Sequence, residues 1–157
     1  MAEPLPLDRI DREILDVLAQ DGRISMTELG ARVGLSKTPV TARVRRLEAD
    51  GVITGYRAEL SPGRLGLTHI AFLEIRLSDT REQALKAFNA AVREIVEVEE
   101  CHMIAGGFDY LVKVRTHDIG AYRRVLSEKI SRLPNLASTA TFVSMEAVRD
   151  PGVQQLG

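Results

Sequence analysis

Residues 34–51 read Gly-Leu-Ser-Lys-Thr-Pro-Val-Thr-Ala-Arg-Val-Arg-Arg-Leu-Glu-Ala-Asp-Gly, and this stretch decides the N-terminal part of the fold. Ser36 is a good helix N-cap, Pro39 is tolerated in a first turn, and Gly51 can end the helix in a left-handed cap. Val40, Val44 and Leu47 recur at i, i+4 and i+7, so one stripe faces a core. The opposite side presents Thr38, Ala42, Arg45 and Arg46, with Lys37, Thr41 and Arg43 on the flanks. Between Leu29 and Leu47 stand five basic residues (Arg32, Lys37, Arg43, Arg45, Arg46) and no acidic one. Cations for phosphates, with guanidiniums and small hydroxyls for base edges, suit a helix lying in a DNA groove.

Working outward, Ser25-Met26-Thr27-Glu28 reads as a capping box opening a short helix that Gly34 closes. Upstream, Asp8 can cap a helix with Asp11 and Glu13 in its first turn, an apolar stripe of Ile10, Ile14, Val17 and Leu18, and a stop at Asp21-Gly22. Two short helices joined by a tight Gly-containing turn, the second one basic, make a helix-turn-helix. Downstream, Val52 to Ala58 reads as a short β-hairpin, a wing that would lay Arg57 near the DNA backbone. Met1 to Leu7, with Pro4 and Pro6, reads as a loose arm.

Leu60 to Gly66 is dense in Gly and Pro and marks a boundary. The expected division is a DNA-binding domain over 1–60, a linker over 61–67, a second domain over 68–150 and a tail over 151–157. The second domain alternates strand and helix. Thr68–Leu77 is a strand with Ala71, Leu73, Ile75 and Leu77 on one face and Ile70 and Phe72 on the other. Thr80 caps a helix to about Ile95, and Val98–Ala105 is a strand ending in a Gly106-Gly107 turn. Tyr110–Arg115 is a strand, and Asp118 caps a helix lined by Ile119, Tyr122, Leu126, Ile130 and Leu133. Leu136–Glu146 is the last strand. The order βαββαβ is the ferredoxin-like pattern, an antiparallel sheet with two helices on one face. The whole is an α+β protein. The bare apolar sheet face predicts a homo-oligomer.

Composition excludes other classes. The chain has 157 residues, 45% hydrophobic and 27% charged, with a formal net charge of −1. Residues 1–60 carry nine Lys/Arg against ten Asp/Glu, so DNA affinity must come from local placement of cations. No membrane span or signal peptide is expected, and the single cysteine, Cys101, fits a reducing compartment, so the protein reads as cytoplasmic and nucleoid-associated. Cys101 and His102 are adjacent in a strand and point to opposite faces, so they make no nucleophile–base pair. His69 and His117 have no ligand at metal-binding spacing, and Glu97, Glu99 and Glu100 read as a solvated strand edge. No metal, cofactor or catalytic residue is expected.

In register, these segments closely resemble the leucine-responsive/asparagine-regulator (Lrp/AsnC) family of bacterial and archaeal transcription factors. The residues carrying the resemblance are 7–11, 21–25, 33–36, 43–48 and 51–56 in the first half. In the second they are Glu100-Cys101-His102, Gly106 to Lys113 and the surroundings of Leu133-Pro134. The resemblance implies a winged helix-turn-helix joined to a ferredoxin-like amino-acid-binding domain. It implies homodimers through that domain, assembling as octamers around which double-stranded DNA wraps. Ser36, Lys37, Thr38, Thr41, Arg43, Arg45 and Arg46 are the expected DNA contacts, with Arg57 on the backbone. The effector pocket implied by the family lies between dimers, around Met103, Ile104, Ala105, Gly106, Gly107 and Asp109, with Ser131 at the end of the second helix of that domain as a further member. Backbone amides there would hold a carboxylate, and Asp109 or carbonyls an ammonium.

The leucine-responsive branch carries an acidic residue where this chain has Gly107, so leucine is not the expected effector. The 104–110 stretch is similar to that of proline-utilisation activators, which makes proline a candidate. The expected function is a sequence-specific regulator of amino-acid metabolism, modulated by a small amino acid at the oligomer interface. The alternative is an architectural, chromatin-like protein that wraps DNA without a ligand.

Overall fold

A computed structural model describes residues 5–150 and 152–153. Part of the N-terminal arm (1–4) and most of the tail (151 and 154–157) lie outside the described residues. The chain divides into two compact units between Ala58 and Glu59.

The first unit is three helices around one apolar cluster. Helix α1 (Arg9–Gln20) opens with a reciprocal capping box: Asp8 accepts from the Asp11 amide and Asp11 accepts from the Asp8 amide. Helix α2 (Met26–Arg32) is capped by Ser25, which accepts from the Glu28 amide; Glu28 turns instead to Arg32, so the box is one-sided. Gly34, at φ 71°, carries the chain into α3 (Lys37–Ala49). The turn packs closely on α2: the Leu35 amide donates to Gly30 O, and a Cβ on Gly30 would lie 2.6 Å from Leu35 O. Ile14, Leu18, Ile24, Leu29, Val33, Val40, Val44 and Leu47 form the core, which the 3.6-residue stripes of the three helices require. Gly51, at φ 70°, ends α3, and the Val52 and Ile53 amides return to Leu47 O.

Residues 52–58 do not form the expected hairpin. Val52 and Ile53 pack against the helical core, which uses the β-prone residues as a plug rather than as a strand. Tyr56 then donates its hydroxyl to Glu48 (2.9 Å).

The second unit begins with a single turn, α4 (Pro62–Leu65), capped by Ser61. The stretch expected as a linker is thus folded onto this unit: Leu60 bridges to Val153, and Leu67 O accepts from Arg115. Strands β1 (His69–Leu77), β2 (Val98–Met103), β3 (Tyr110–Thr116) and β4 (Leu136–Val143) form a sheet in the order β2-β3-β1-β4, with antiparallel neighbours. Helices α5 (Glu82–Arg93) and α6 (Ile119–Glu128) cover one face. Ala71, Leu73, Ile75, Phe88, Val92, Val112, Val114, Tyr122 and Ile130 are buried between them.

Local departures have local causes. The N-cap of α5 is Arg81, not Thr80, because the Asp79 carboxylate takes the Arg81 amide. Ile119 is exposed; it stands at the first residue of α6, before the inward stripe begins. Strands β2 and β4 stop earlier than expected, at Met103 and Val143.

The other sheet face has two zones. Phe72 and Phe142 face each other across β1 and β4 and are exposed. Lys113 and Arg115 of β3 are buried in a charge cluster. Arg115 pairs with Glu99, with Asp150 (2.7 Å) and with Leu67 O; Lys113 pairs with Glu99 (3.0 Å) and Glu100 (3.5 Å). Glu99 is therefore not part of a solvated edge. A register shift between Val98 and Glu100 interrupts the alternation of β2 and lets both Glu99 and Glu100 reach Lys113. Glu97 pairs with Lys129.

Candidate functional site

Helix α3 divides its polar residues into two sets. On the first, Ser36 is at the N-cap position with extended backbone, yet its hydroxyl makes no capping bond. Lys37, Thr38 and Arg45 are exposed, and among the described residues Lys37 and Arg45 take part in no ion pair. Thr41 is half-buried and donates its hydroxyl to Lys37 O (2.7 Å), bonding back to its own helix. With Arg45, Glu48 and Tyr56 it borders a shallow hollow at the end of α1.

The second set faces α1. Arg43 Nη1 donates to Asp8 Oδ2 (2.6 Å) and to Asp11 Oδ1 (2.8 Å). Arg46 Nη2 donates to Asp11 Oδ2 (2.5 Å). The Asp11 side chain is only 2% exposed, against 27% for Arg43 and 51% for Arg46. The Asp11 amide and then Arg43 hold the Asp8 carboxyl below its ordinary value, while Asp8 and Asp11 push the Arg43 guanidinium up. Asp11 looked in the sequence like an acidic residue favouring the helix dipole; its role as the meeting point of two arginines more than 30 positions away left no local signal. Arg57 is exposed on the extended segment after Gly55.

The turn between β2 and β3 holds most of the expected effector residues together. Ile104 N donates to Asp109 O (2.8 Å), and Asp109 N to Ile75 O (2.9 Å). Asp109 Oδ2 accepts from Leu77 N (2.7 Å), so one carboxylate oxygen serves the end of β1 and the other is left for a partner. Among the described residues, no group takes the amides of Ala105, Gly106, Gly107 or Phe108. Neither Gly106 nor Gly107 has positive φ, and a Cβ on Gly107 would meet nothing within 4 Å. The turn geometry therefore does not demand glycine at 107; its absent side chain leaves open space. Met103 is exposed at the start of the turn. Ser131 lies on the 3-10 turn after α6, where its hydroxyl donates to Leu126 O (2.7 Å).

His69 and His117 each hold one ring nitrogen on an ordinary partner. His69 Nδ1 bonds Thr116 Oγ1 (3.0 Å) beside the Tyr122 ring, and His117 Nδ1 bonds Gly66 O (3.0 Å). Cys101 pairs in register with Val112 on the helix-covered face, and burial pushes its thiol up, away from the reactive thiolate.

Comparison with known proteins places these features. A winged helix-turn-helix DNA-binding model matches residues 7–54, and an Lrp/AsnC ligand-binding-domain model matches residues 70–153. The chain is 62% identical to a proline dehydrogenase transcriptional activator of Rhodobacter capsulatus, over 90% of this chain and 92% of that protein. It is 50% identical to a leucine-responsive regulatory protein of Salmonella typhimurium, over 91% of this chain and 87% of that protein. The crystal structure of a transcriptional regulator from Neisseria meningitidis in complex with L-methionine superimposes with a TM-score of 0.86 at 28% identity, covering 96% of this chain and 97% of that one. These relatives are regulators and not enzymes. The chain belongs to the Lrp/AsnC family of transcriptional regulators, with a helix-turn-helix DNA-binding domain and a ligand-binding domain.

Proposed function

We propose that the protein is a sequence-specific DNA-binding regulator of amino-acid metabolism whose activity responds to a small amino acid, with proline the first candidate. The observation that carries the ligand half is the turn at 105–108: four amides without an internal partner stand beside one free Asp109 oxygen. N–H groups left without internal partners suit a carboxylate, and the Asp109 oxygen an ammonium, the two ends every α-amino acid presents. Met103, Ile104, Ala105, Gly106 and Gly107 complete that turn, and Ser131 is a more peripheral member. Gly107 adds no carboxylate to the site, and the name of the relative at 62% identity points to proline metabolism.

The DNA half rests on the open side of α3. Ser36, Lys37, Thr38 and Arg45 would contact the duplex, with Thr41 at the edge and Arg57 on the backbone. Two copies would associate through the zone of the sheet face bearing Phe72 and Phe142, since exposed aromatics facing each other across neighbouring strands suit an association surface. Further assembly to octamers would set the spacing of the recognition helices, and an effector between dimers would favour one spacing over another.

The test is a thermal-shift and DNA-binding screen with the twenty amino acids. A ligand that binds only the folded state stabilises it by about 2.7 kcal/mol at a hundredfold excess over its dissociation constant. The expected result is a rise in melting temperature and a change in DNA affinity with proline, both lost in Gly107→Glu. No response to any amino acid, with even coverage of unrelated DNA, would overturn the ligand half in favour of a ligand-free architectural role.

A further inference from the structure

Arg43 and Arg46 lie on the DNA-binding helix, yet their hydrogen-bonding edges are turned to α1. From this arrangement we infer that Asp11 is the positioning residue for the recognition helix, and that Arg43 and Arg46 serve Asp11 rather than DNA phosphates. The inference rests on the reading of α3 as the DNA-contacting helix and deepens it.

Four observations carry it. Asp11 receives three donors: Arg43 on Oδ1, and Arg46 and the Asp8 amide on Oδ2. Its side chain is 2% exposed with both arginines in place, so these donors and not water meet its charge. Arg43 is also bound to Asp8, the N-cap of the same helix, so two carboxylates and two guanidiniums form a formally neutral set. Both carboxylates are held in place by the α1 capping box, which presents them as a fixed cradle.

A DNA phosphate offers an arginine a charge-assisted pair at a solvated surface. Moving Arg43 and Arg46 to phosphates would strand a buried carboxylate with only a backbone amide, and that loss outweighs a surface contact. The cations of α3 left for DNA are Lys37 and Arg45, on the other side of the helix and without ion-pair partners among the described residues. The clamp instead fixes the rotation of α3 about its axis. That rotation decides which of Thr38, Ala42 and Arg45 faces the base edges.

The experiment measures affinity of the full-length protein for a random-sequence duplex, and for a duplex selected from a random pool by the wild type, over a salt series. Each phosphate contact removed flattens the slope of log affinity against log salt by about 0.9. Arg45→Ala should flatten it accordingly. Arg43→Gln should leave the slope on the random duplex unchanged, yet cut the preference for the selected duplex by about tenfold, the discrimination of one base contact. Arg43→Lys, which can still reach Asp8, should recover part of that preference. Asp11→Asn, close in shape to the original, weakens the hold on Arg46 while Arg43 keeps Asp8, and should steepen the slope.

If Arg43→Gln flattens the slope as much as Arg45→Ala, or Asp11→Asn leaves it unchanged, the inference is overturned while the reading of α3 survives. If Arg43→Gln does not fold, the Asp11→Asn slope decides alone. A wild-type protein that binds neither duplex overturns the reading of α3 and this inference with it.

Discussion

Asp11 in the helical unit and Glu99 in the sheet unit are both carboxylates gripped by two cations, yet the cations differ. The partners of Asp11 reach the surface, with Arg43 and Arg46 at 27% and 51% exposure. The partners of Glu99 do not, with Lys113 and Arg115 at 9% and 3%. Arg115 also takes Asp150 and Leu67 O, so it ties the sheet to the segments at both ends of its unit. Where only the acid is buried, the cluster orients an element whose surface stays available to a partner. Where the cations are buried as well, the cluster is a rivet that ties segments of one unit together.

Breaking the rivet should do the most damage. Arg115→Ala leaves Glu99 with Lys113 alone in a buried site and releases Asp150, and removing one partner from a buried charge cluster typically costs about 3–5 kcal/mol. Thermal unfolding should show the sheet unit losing stability while the helical unit holds. Asp11→Ala removes the buried acid itself and leaves two arginines that water can reach, so about 1–3 kcal/mol is expected, confined to the helical unit. Equal losses from the two variants would erase the distinction between anchor and rivet.

The sheet face that carries the rivet also carries exposed aromatics, and the two zones should separate by mutation. Phe142→Glu puts a charge on the exposed zone and touches no member of the rivet. It should weaken self-association by about tenfold or more, about 1.4 kcal/mol, while the melting of the isolated fold changes little. Light scattering across a dilution series reads the first, and circular dichroism the second. An unchanged assembly would remove this face from the interface.

The two clusters also explain what the sequence could tell. The stripes Val40, Val44, Leu47 and Ala71, Leu73, Ile75 were legible because burial in helices and strands repeats at fixed short periods. The turn at 103–109 was legible because its glycines and Asp109 stand together in the chain. Pairing between Asp11 and Arg43, or between Arg115 and Asp150, obeys no period; it exists only once distant segments meet. The interrupted register of β2 hid Glu99 further, since strict alternation would have separated it from Glu100. The absent hairpin at 52–58 has a similar origin: β-prone residues beside a glycine were read locally, whereas the helical core claims Val52 and Ile53.

Acid should distinguish the two clusters most gently. Burial pushes the Asp150 carboxyl up, but Arg115 and the Gly152 amide outweigh it and hold the group below its ordinary 3.8. A carboxyl depressed in the folded state supplies its stability fully at neutral pH and loses it as pH falls through 3.8 toward the folded value. Asp8 is depressed as well, by the Asp11 amide and by Arg43, but its side chain is half in water, so solvent screens much of the effect. Melting temperatures followed from neutral pH down through this window should therefore fall less steeply in Asp150→Asn than in the wild type. Asp8→Asn should run nearly parallel to the wild type. A flatter acid profile for Asp8→Asn than for Asp150→Asn would place the stronger charge coupling in the helical unit and reverse the roles of anchor and rivet.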